Sequence, residues 1–391
     1  MTEKRKQILL VVTVALVSCL VTSAAKDLIA LRQNGGMNAK LNIVSKVVDR
    51  YYMGDIDKQK MEDYAALGAT MALGDPYTAY FDQDQFKSYM EETRGSFVGI
   101  GVVVTANRET NAITVVQAYE GSPGAKAGLQ AGDVIRKIDG EDYTAETMDA
   151  AVSKMRGVHL KNAEGTQVNI TVEREGIQFD VTVTRGEIVS KTVESRMMES
   201  GIGYLRIVSF DGKTGEEFNQ HIQSLKDAGM QKLILDLRDN PGGDFDVVCK
   251  IADSLLPEGV ITYTEDKNGK REYKKSDAQE LGLPMVTLIN GGSASASEVL
   301  SGALKDFGKS RLVGEKTFGK GIVQSLIPLS DGSGMKVTIA KYYIPSGVCI
   351  HGTGIEPDNP VKLPESAEGK TSTQLEAWED TQLDKAVELL K

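Results

Sequence analysis

Three short segments carry the residue types of one mechanism: a hydroxyl, an amine able to lose its charge, and backbone N–H groups left bare. Leu288-Ile289-Asn290-Gly291-Gly292-Ser293-Ala294-Ser295-Ala296-Ser297-Glu298 runs from an apolar stretch through small residues into a helical pattern. A strand turning sharply into a helix there presents one side chain and leaves the first helical N–H groups free, which suits a developing oxyanion. Small neighbours let a substrate backbone approach. An ordinary helix start capped by Ser295 or Ser297 fits the same letters. In Gly314-Glu315-Lys316-Thr317-Phe318-Gly319-Lys320-Gly321-Ile322-Val323-Gln324, Lys320 sits between two glycines beside Phe318 and Ile322. Apolar cover disfavours its ammonium form, and a neutral amine can take a proton from a serine. If 320–324 is extended, Lys320, Ile322 and Gln324 share a face, and the Gln324 amide can hold the amine. A solvated surface lysine is the other reading. The third segment, Leu235-Asp236-Leu237-Arg238-Asp239-Asn240-Pro241-Gly242-Gly243-Asp244, ends a buried strand in a tight turn. Ala296 can supply one oxyanion donor and Gly242 or Gly243 a second; a purely structural turn also fits. A histidine-based triad could draw only on the loop at His351, and no Gly-x-Ser-x-Gly elbow surrounds Ser295.

These segments need a scaffold that gathers strand ends. Strands are predicted at 203–207, 232–237 and 285–290, alternating with helices at 215–228, 244–256 and 297–307, which is the pattern of an α/β layer. In such layers the turns collect at the carboxyl ends of the strands. A β-rich stretch, a polar linker at 365–373 and a terminal helix at 378–390 follow. Upstream, short β runs at 98–105, 112–117, 134–138, 167–172 and 179–183, with helical stretches at 122–129 and 145–155, predict a small barrel with two helices. Residues 26–92 read as helical, with Leu41, Val44, Val47 and Val48 at helical spacing and a break at Gly74-Asp75-Pro76-Tyr77. This region is either a helical collar or a dimerisation arm.

The chain has 391 residues and a net charge of -10, with no basic block beyond Lys4, Arg5 and Lys6, so a nucleic-acid role is excluded. Forty glycines imply many turns. Cys19, Cys249 and Cys349 form no disulfide framework, and His159, His221 and His351 fall in no zinc-binding pattern, so no metal is expected. After the three basic residues comes an uncharged run from Ile8 to Ala25, about 18 residues long. It is read as an uncleaved anchor with the body outside the cytoplasm, in a single pass through the cell membrane. Cleavage near Thr22-Ser23-Ala24-Ala25, or lipidation at Cys19, are the alternatives, giving a secreted or lipid-anchored body. The expected organisation is a membrane anchor (1–25), a helical region (26–94), the small barrel (95–185), the α/β core (186–365) and a C-terminal helical segment (366–391).

Taken together, Gly74-Asp75-Pro76-Tyr77, Gly99-Ile100-Gly101-Val102, the 235–243 turn, Ser293 to Glu298, Phe318 to Gln324 and the region from Tyr342 to Asp358 resemble the carboxyl-terminal processing (tail-specific) proteases. The resemblance implies an α+β multidomain fold: a helical N-terminal arm, a PDZ barrel and a crotonase-like (Clp-like) protease core. It implies that Ser295 is the nucleophile, Lys320 the general base and Gln324 the residue that orients it, and that no cofactor is needed. It makes Gly99, Ile100, Gly101 and Val102 the PDZ carboxylate-binding loop, a nest of successive N–H groups. Protein substrates with apolar C-termini would add there as a strand. The second PDZ signature is Gly128-Leu129-Gln130-Ala131-Gly132-Asp133-Val134-Ile135. Arg156 lies where a PDZ arginine would reach the core in a regulatory role; an exposed, solvated arginine is the other reading. A homodimer is expected from the arm and the terminal helix. The rival to a serine endopeptidase is a non-catalytic PDZ scaffold on the same core.

Overall fold

The computed structural model describes residues 37–391 except 94–95, 108–109, 120, 159, 161, 190 and 368–369. The chain divides after Asp75 into two compact units. The first contributes α1 (Met37–Tyr51) and α2 (Lys58–Met71), the latter started by Asp57, whose carboxylate accepts from the Lys60 N–H. Leu41, Val44 and Val47 lie on α1 as their spacing predicts, and all are exposed. The segment read as a membrane anchor lies outside the described residues. Among the described residues no helix is long and apolar enough to cross a membrane.

Within 37–92 the helical reading holds on both sides of the predicted break, with a short strand inserted after it. Beyond Pro76 come β1 (Ala79–Phe81), which pairs with the core strand 334–343, and α3 (Gln83–Thr93), whose Phe86 fills the space above Gly334. Both belong to the second unit. Burial of Tyr80 and Phe86 against that strand outweighs continuity with the preceding helices.

The small barrel comprises β2 (Ser96–Gly99), β3 (Val102–Asn107), β4 (Ala112–Ala118), α4 (Pro123–Lys126), β5 (Val134–Ile138), β6 (Glu141–Asp142), α5 (Met148–Arg156), β7 (Gln167–Arg174), β8 (Ile177–Thr184) and β9 (Gly186–Val189). Its main sheet has the order β3-β4-β5-β7-β8, so β3 is an edge; β2 pairs separately with β9. The inward residues follow the period of two expected of strands: Val168, Ile170 and Val172 on β7, with Ile113, Ile135 and Leu129 against them. The apolar run 98–105, read as one strand, is two. Gly101 takes a φ of +70 and sends β2 and β3 into different sheets.

The core follows as β10 (Val193–Met197), β11 (Ile202–Ile207), α6 (Thr214–Asp227), β12 (Lys232–Asp236), α7 (Phe245–Leu255), β13 (Gly259–Asp266), β14 (Arg271–Ser276), β15 (Met285–Ile289), α8 (Ala296–Asp306), β16 (Ser310–Gly314), β17 (Ile322–Pro328), β18 (Gly334–Tyr343), β19 (Asn359–Pro360) and α9 (Thr381–Leu390). One sheet has the order β10-β11-β12-β15-β16-β19, parallel from β11 onward. Its central strands β11, β12 and β15 are buried and mainly apolar because both faces are covered. Leu205, Leu233, Leu235 and Ile289 pack on one side against α6, α7 and α8; Tyr204, Ile234, Val286 and Leu288 pack on the other against α9. Arg238, 1 % exposed, fixes α9 to the end of β12 through Asp236 (2.7 Å) and Asp380 (2.7 Å). A second sheet, β1-β18-β13-β14 with β17 on the other side of β18, carries the lysine segment.

Candidate active site

Three serines enter the turn between β15 and α8, and their hydroxyls have different partners. Ser293 donates to the Leu237 carbonyl (2.7 Å) and Ser297 to the Asn240 carbonyl (2.9 Å), pinning this turn to the neighbouring one after β12. Ser295, at the N-cap position, faces the cleft instead. Its φ of +54 and ψ of -112 fall where side chains other than glycine rarely go. Such a conformation costs about 1–3 kcal/mol and persists only when its surroundings over-determine it.

Glu298 provides much of that determination. Its fully buried carboxylate accepts from the Ser295 N–H (2.9 Å), the Lys320 N–H (2.8 Å), the Gly319 N–H (2.8 Å) and the Thr317 hydroxyl (2.6 Å). A buried carboxylate is tolerable when its lone pairs are filled this way, and here the filling joins the serine turn to the lysine loop. From the opposite side the buried Tyr342 hydroxyl meets the carbonyl oxygens of both Ser295 (2.7 Å) and Lys320. Burial, with the Glu298 charge nearby, raises its pKa well above the ordinary value and keeps it a proton donor. Neither residue was assigned a role from the sequence, although Ser295-x-x-Glu298 has the spacing of a capping box and could have flagged the carboxylate.

The Lys320 amine is half-buried, 5.2 Å from the centre of the Tyr77 ring, and has no acid partner among the described residues. Burial, and then the charge of Lys336, lower its pKa from the ordinary 10.5. The amine is thus partly covered, not fully solvated. Lys320, Ile322 and Gln324 do line one cleft, although a bulge between Val323 and Gln324 interrupts the strand register. The Gln324 amide departs from its expected contact: it donates to the Tyr77 carbonyl, not to the lysine amine. Tyr77 thus meets Lys320 through its ring and Gln324 through its backbone. His351 meets the edge of the Tyr77 ring, centroids 6.2 Å apart, and does not line the cleft.

Ser295, Ala296, Gly242, Gly243, Lys320 and Gln324 share this cleft of about 1010 Å³. Gly242 presses so closely on the serine turn that a Cβ there would lie 2.8 Å from the Ser295 Cβ and 2.9 Å from the Ala296 nitrogen. Its N–H is already taken by the Asn240 side chain (2.8 Å). Among the described residues, the N–H groups of Gly243 and Ala296 have no acceptor. Of the two glycines considered, Gly243 therefore has the free donor. The role of Asn240, fully buried, is not legible in the sequence because it depends on a side chain folding back onto its own turn.

The model of peptidase family S41 matches residues 201–361 and that of the PDZ domain matches residues 114–174. The chain is 37% identical over 343 residues to the carboxy-terminal-processing protease of Bartonella bacilliformis, covering 85% of this chain and 77% of that protein. It is 36% identical over 331 residues to the carboxy-terminal processing protease CtpA of Bacillus subtilis, covering 84% and 70%. The chain belongs to peptidase family S41. Among solved structures, a photosystem II D1 C-terminal processing protease aligns over 82% of this chain and 87% of its own, with 29% identity and a TM-score of 0.50. The fold is accordingly a mixed α/β multidomain one, a PDZ domain joined to an S41 protease core.

Within the PDZ domain, Gly99 ends β2 and Val102 opens β3, and Ile100 is buried between them. Among the described residues the N–H groups of Ile100 and Gly101 have no acceptor. Arg156, at the end of α5, is largely buried, not solvated. It lies 3.4 Å from Glu91 of α3 and 4.9 Å from the centre of the Phe97 ring of β2. Tyr89, Met90, Thr93 and Phe97 of that same connecting segment wall the cleft.

Proposed function

We propose that this S41 protease is a serine endopeptidase in which Ser295 attacks the scissile carbonyl and neutral Lys320 takes its proton. The observation carrying this reading is an amine without an acid partner, depressed in pKa, sharing one cleft with a strained serine whose backbone is tied to the lysine loop by Glu298 and Tyr342. In the tetrahedral intermediate the oxyanion is held by the N–H groups of Gly243 and Ala296, each such donor being worth a few kcal/mol. Lys320 returns the proton to the leaving amine, then activates the water that releases the acyl group. Gln324 acts by fixing Tyr77 beneath the amine. Substrates are extracytoplasmic proteins whose apolar C-termini enter the PDZ loop at Gly99 to Val102 and pair with the edge of β3. Arg156 gives that domain a hold on the cleft wall through Glu91 and Phe97.

The test is digestion of an unfolded protein by the purified chain, with products read by mass spectrometry. Ser295→Ala and Lys320→Ala should each abolish cleavage while preserving the thermal melting transition. Substantial cleavage by either would overturn the pair.

A further inference from the structure

Lys336 is a cation in the cleft with no carboxylate partner among the described residues. It lies on β18 opposite Leu326 of β17, and both side chains line the cleft on the row that also carries Gln324. Its ammonium sits over the rings of Tyr89 (5.0 Å) and Phe81 (5.7 Å), which stack on each other at 5.1 Å. The other charges of the cleft are committed. Lys213 pairs with Glu187 (3.5 Å) and Asp246 with Lys274 (2.6 Å). Asp211 accepts from the Lys213 N–H (2.9 Å), and Asp244 caps α7. Among the described residues, Lys320 and Lys336 are the cleft cations with no carboxylate partner. For a general base that isolation is a requirement; Lys336, one strand away, is not the base, and its charge adds to the burial that lowers the Lys320 pKa.

We propose that Lys336 is a specificity subsite that binds a carboxylate of the substrate polypeptide within a few residues of the bond being cut. A half-buried ammonium is poorly solvated, and burial lowers its pKa. Aromatic faces hold it in place without neutralising it. A carboxylate arriving with the substrate supplies the missing counter-charge in a partly desolvated setting, where ion pairs gain more than they do in open water. An Asp or Glu side chain and a free chain terminus offer the same group. The inference rests on the cleft being the site of hydrolysis.

Bonds cut in an unfolded protein define a parent peptide, from which Glu/Gln pairs are made at each of the three positions either side of the bond, each as free acid and as C-terminal amide. With the unaltered chain, one Glu peptide should exceed its Gln partner about tenfold in kcat/KM; a preference confined to free acid over amide assigns the group to the chain end. Lys336→Gln should erase the preference, and Lys336→Glu should transfer it to a Lys peptide, a gain that misfolding cannot produce. An unchanged Glu/Gln ratio in Lys336→Gln, or a change only in the pH midpoint of kcat/KM, overturns the subsite. Failure of the unaltered chain to cut any bond in the unfolded protein sinks the Ser295–Lys320 reading alone; where it cuts the protein but not the short peptides, that reading stands. The same pairs are then ranked by binding to Ser295→Ala protein with and without Lys336→Gln, and equal affinities there overturn the subsite independently.

Discussion

The Ser295 turn and the Ile100–Gly101 loop both leave backbone N–H groups without acceptors among the described residues, and they are built by different means. The Ser295 turn, with its bare donors at Ala296 and Gly243, is held by buried hydrogen bonds from Glu298, Tyr342, Ser293, Ser297 and Asn240. Among the described residues the Ile100–Gly101 loop of the PDZ domain makes no hydrogen bond to a charged side chain. It is held by close packing, where a Cβ on Gly101 would meet the Ser122 Cβ at 2.4 Å, and by the Gly124 N–H on the Ile100 carbonyl (2.7 Å). Under the proposed function the physical demand differs. An oxyanion exists only during reaction, so its donors must be in place beforehand, at a cost in strain. A terminal carboxylate is charged before it arrives and must also leave, so a lightly held nest suffices.

The comparison is broken most directly at the chemistry. Ser295→Ala should lower kcat by about 10⁶-fold, as loss of a nucleophile does elsewhere, while peptide affinity at the PDZ loop, measured by fluorescence anisotropy, stays within twofold. Loss of that affinity would mean the two loops are not separately built. Glu298→Gln comes next. It keeps the shape but removes the charge and turns one acceptor into a donor, facing either the Ser295 and Lys320 N–H groups or the Gly319 N–H and the Thr317 hydroxyl. Removing one partner from a buried charged network costs about 3–5 kcal/mol. The expected result is a kcat fall of about 10²-fold and a lower melting temperature; unchanged kinetics would show that packing alone holds the serine turn.

Much of this site could be read in the letters, and the part that could not shares a cause. Strand-to-helix turns at 235–244 and 288–298 follow from apolar runs ending in glycine and small residues, so the juxtaposition of Gly243, Ala296 and Ser295 was legible. The division of labour among Ser293, Ser295 and Ser297 was not, because it depends on which carbonyls of the 237–240 turn lie opposite. Tyr342 and Tyr77 reach the catalytic loops from 22 or more residues away in sequence, through sheet pairing of β18 and through the segment after Pro76. Pattern-reading sees local period and composition; it cannot see register. The same blindness made 98–105 one strand, since a single glycine at positive φ decides the break.

A smaller effect sharpens the other side. Gly101→Ala places a methyl against Ser122 at a φ of +70, where alanine is itself strained. Peptide affinity at the PDZ loop should fall about tenfold, equivalent to about 1.4 kcal/mol, and the loss should appear in KM for full-length substrates. A fall in kcat of the same size would mean that the PDZ loop reaches the cleft as more than a docking site, with Arg156 and Phe97 as the connection.

The smallest predicted effect tests how the lysine is kept neutral. If Lys320 is the base, kcat/KM rises with pH through the pKa of its free-enzyme form, and because burial and then Lys336 lower that pKa, the midpoint lies below 10.5. The same shift makes the unfolded chain bind more protons than the native one in the window between the two pKa values, so this lysine's contribution to stability grows as pH rises through that window and is lost as pH falls. The Tyr77 ring pulls the other way. Its electron-rich face favours the ammonium by about 0.5–1 kcal/mol, or about half a pH unit at 1.36 kcal/mol per unit. Tyr77→Leu keeps the carbonyl that receives Gln324 and keeps the amine covered, while removing only the ring. The kcat/KM midpoint should therefore move down by about half a unit. A move upward would mean that water has replaced the ring, and that Tyr77 keeps the base dry more than it attracts the charge.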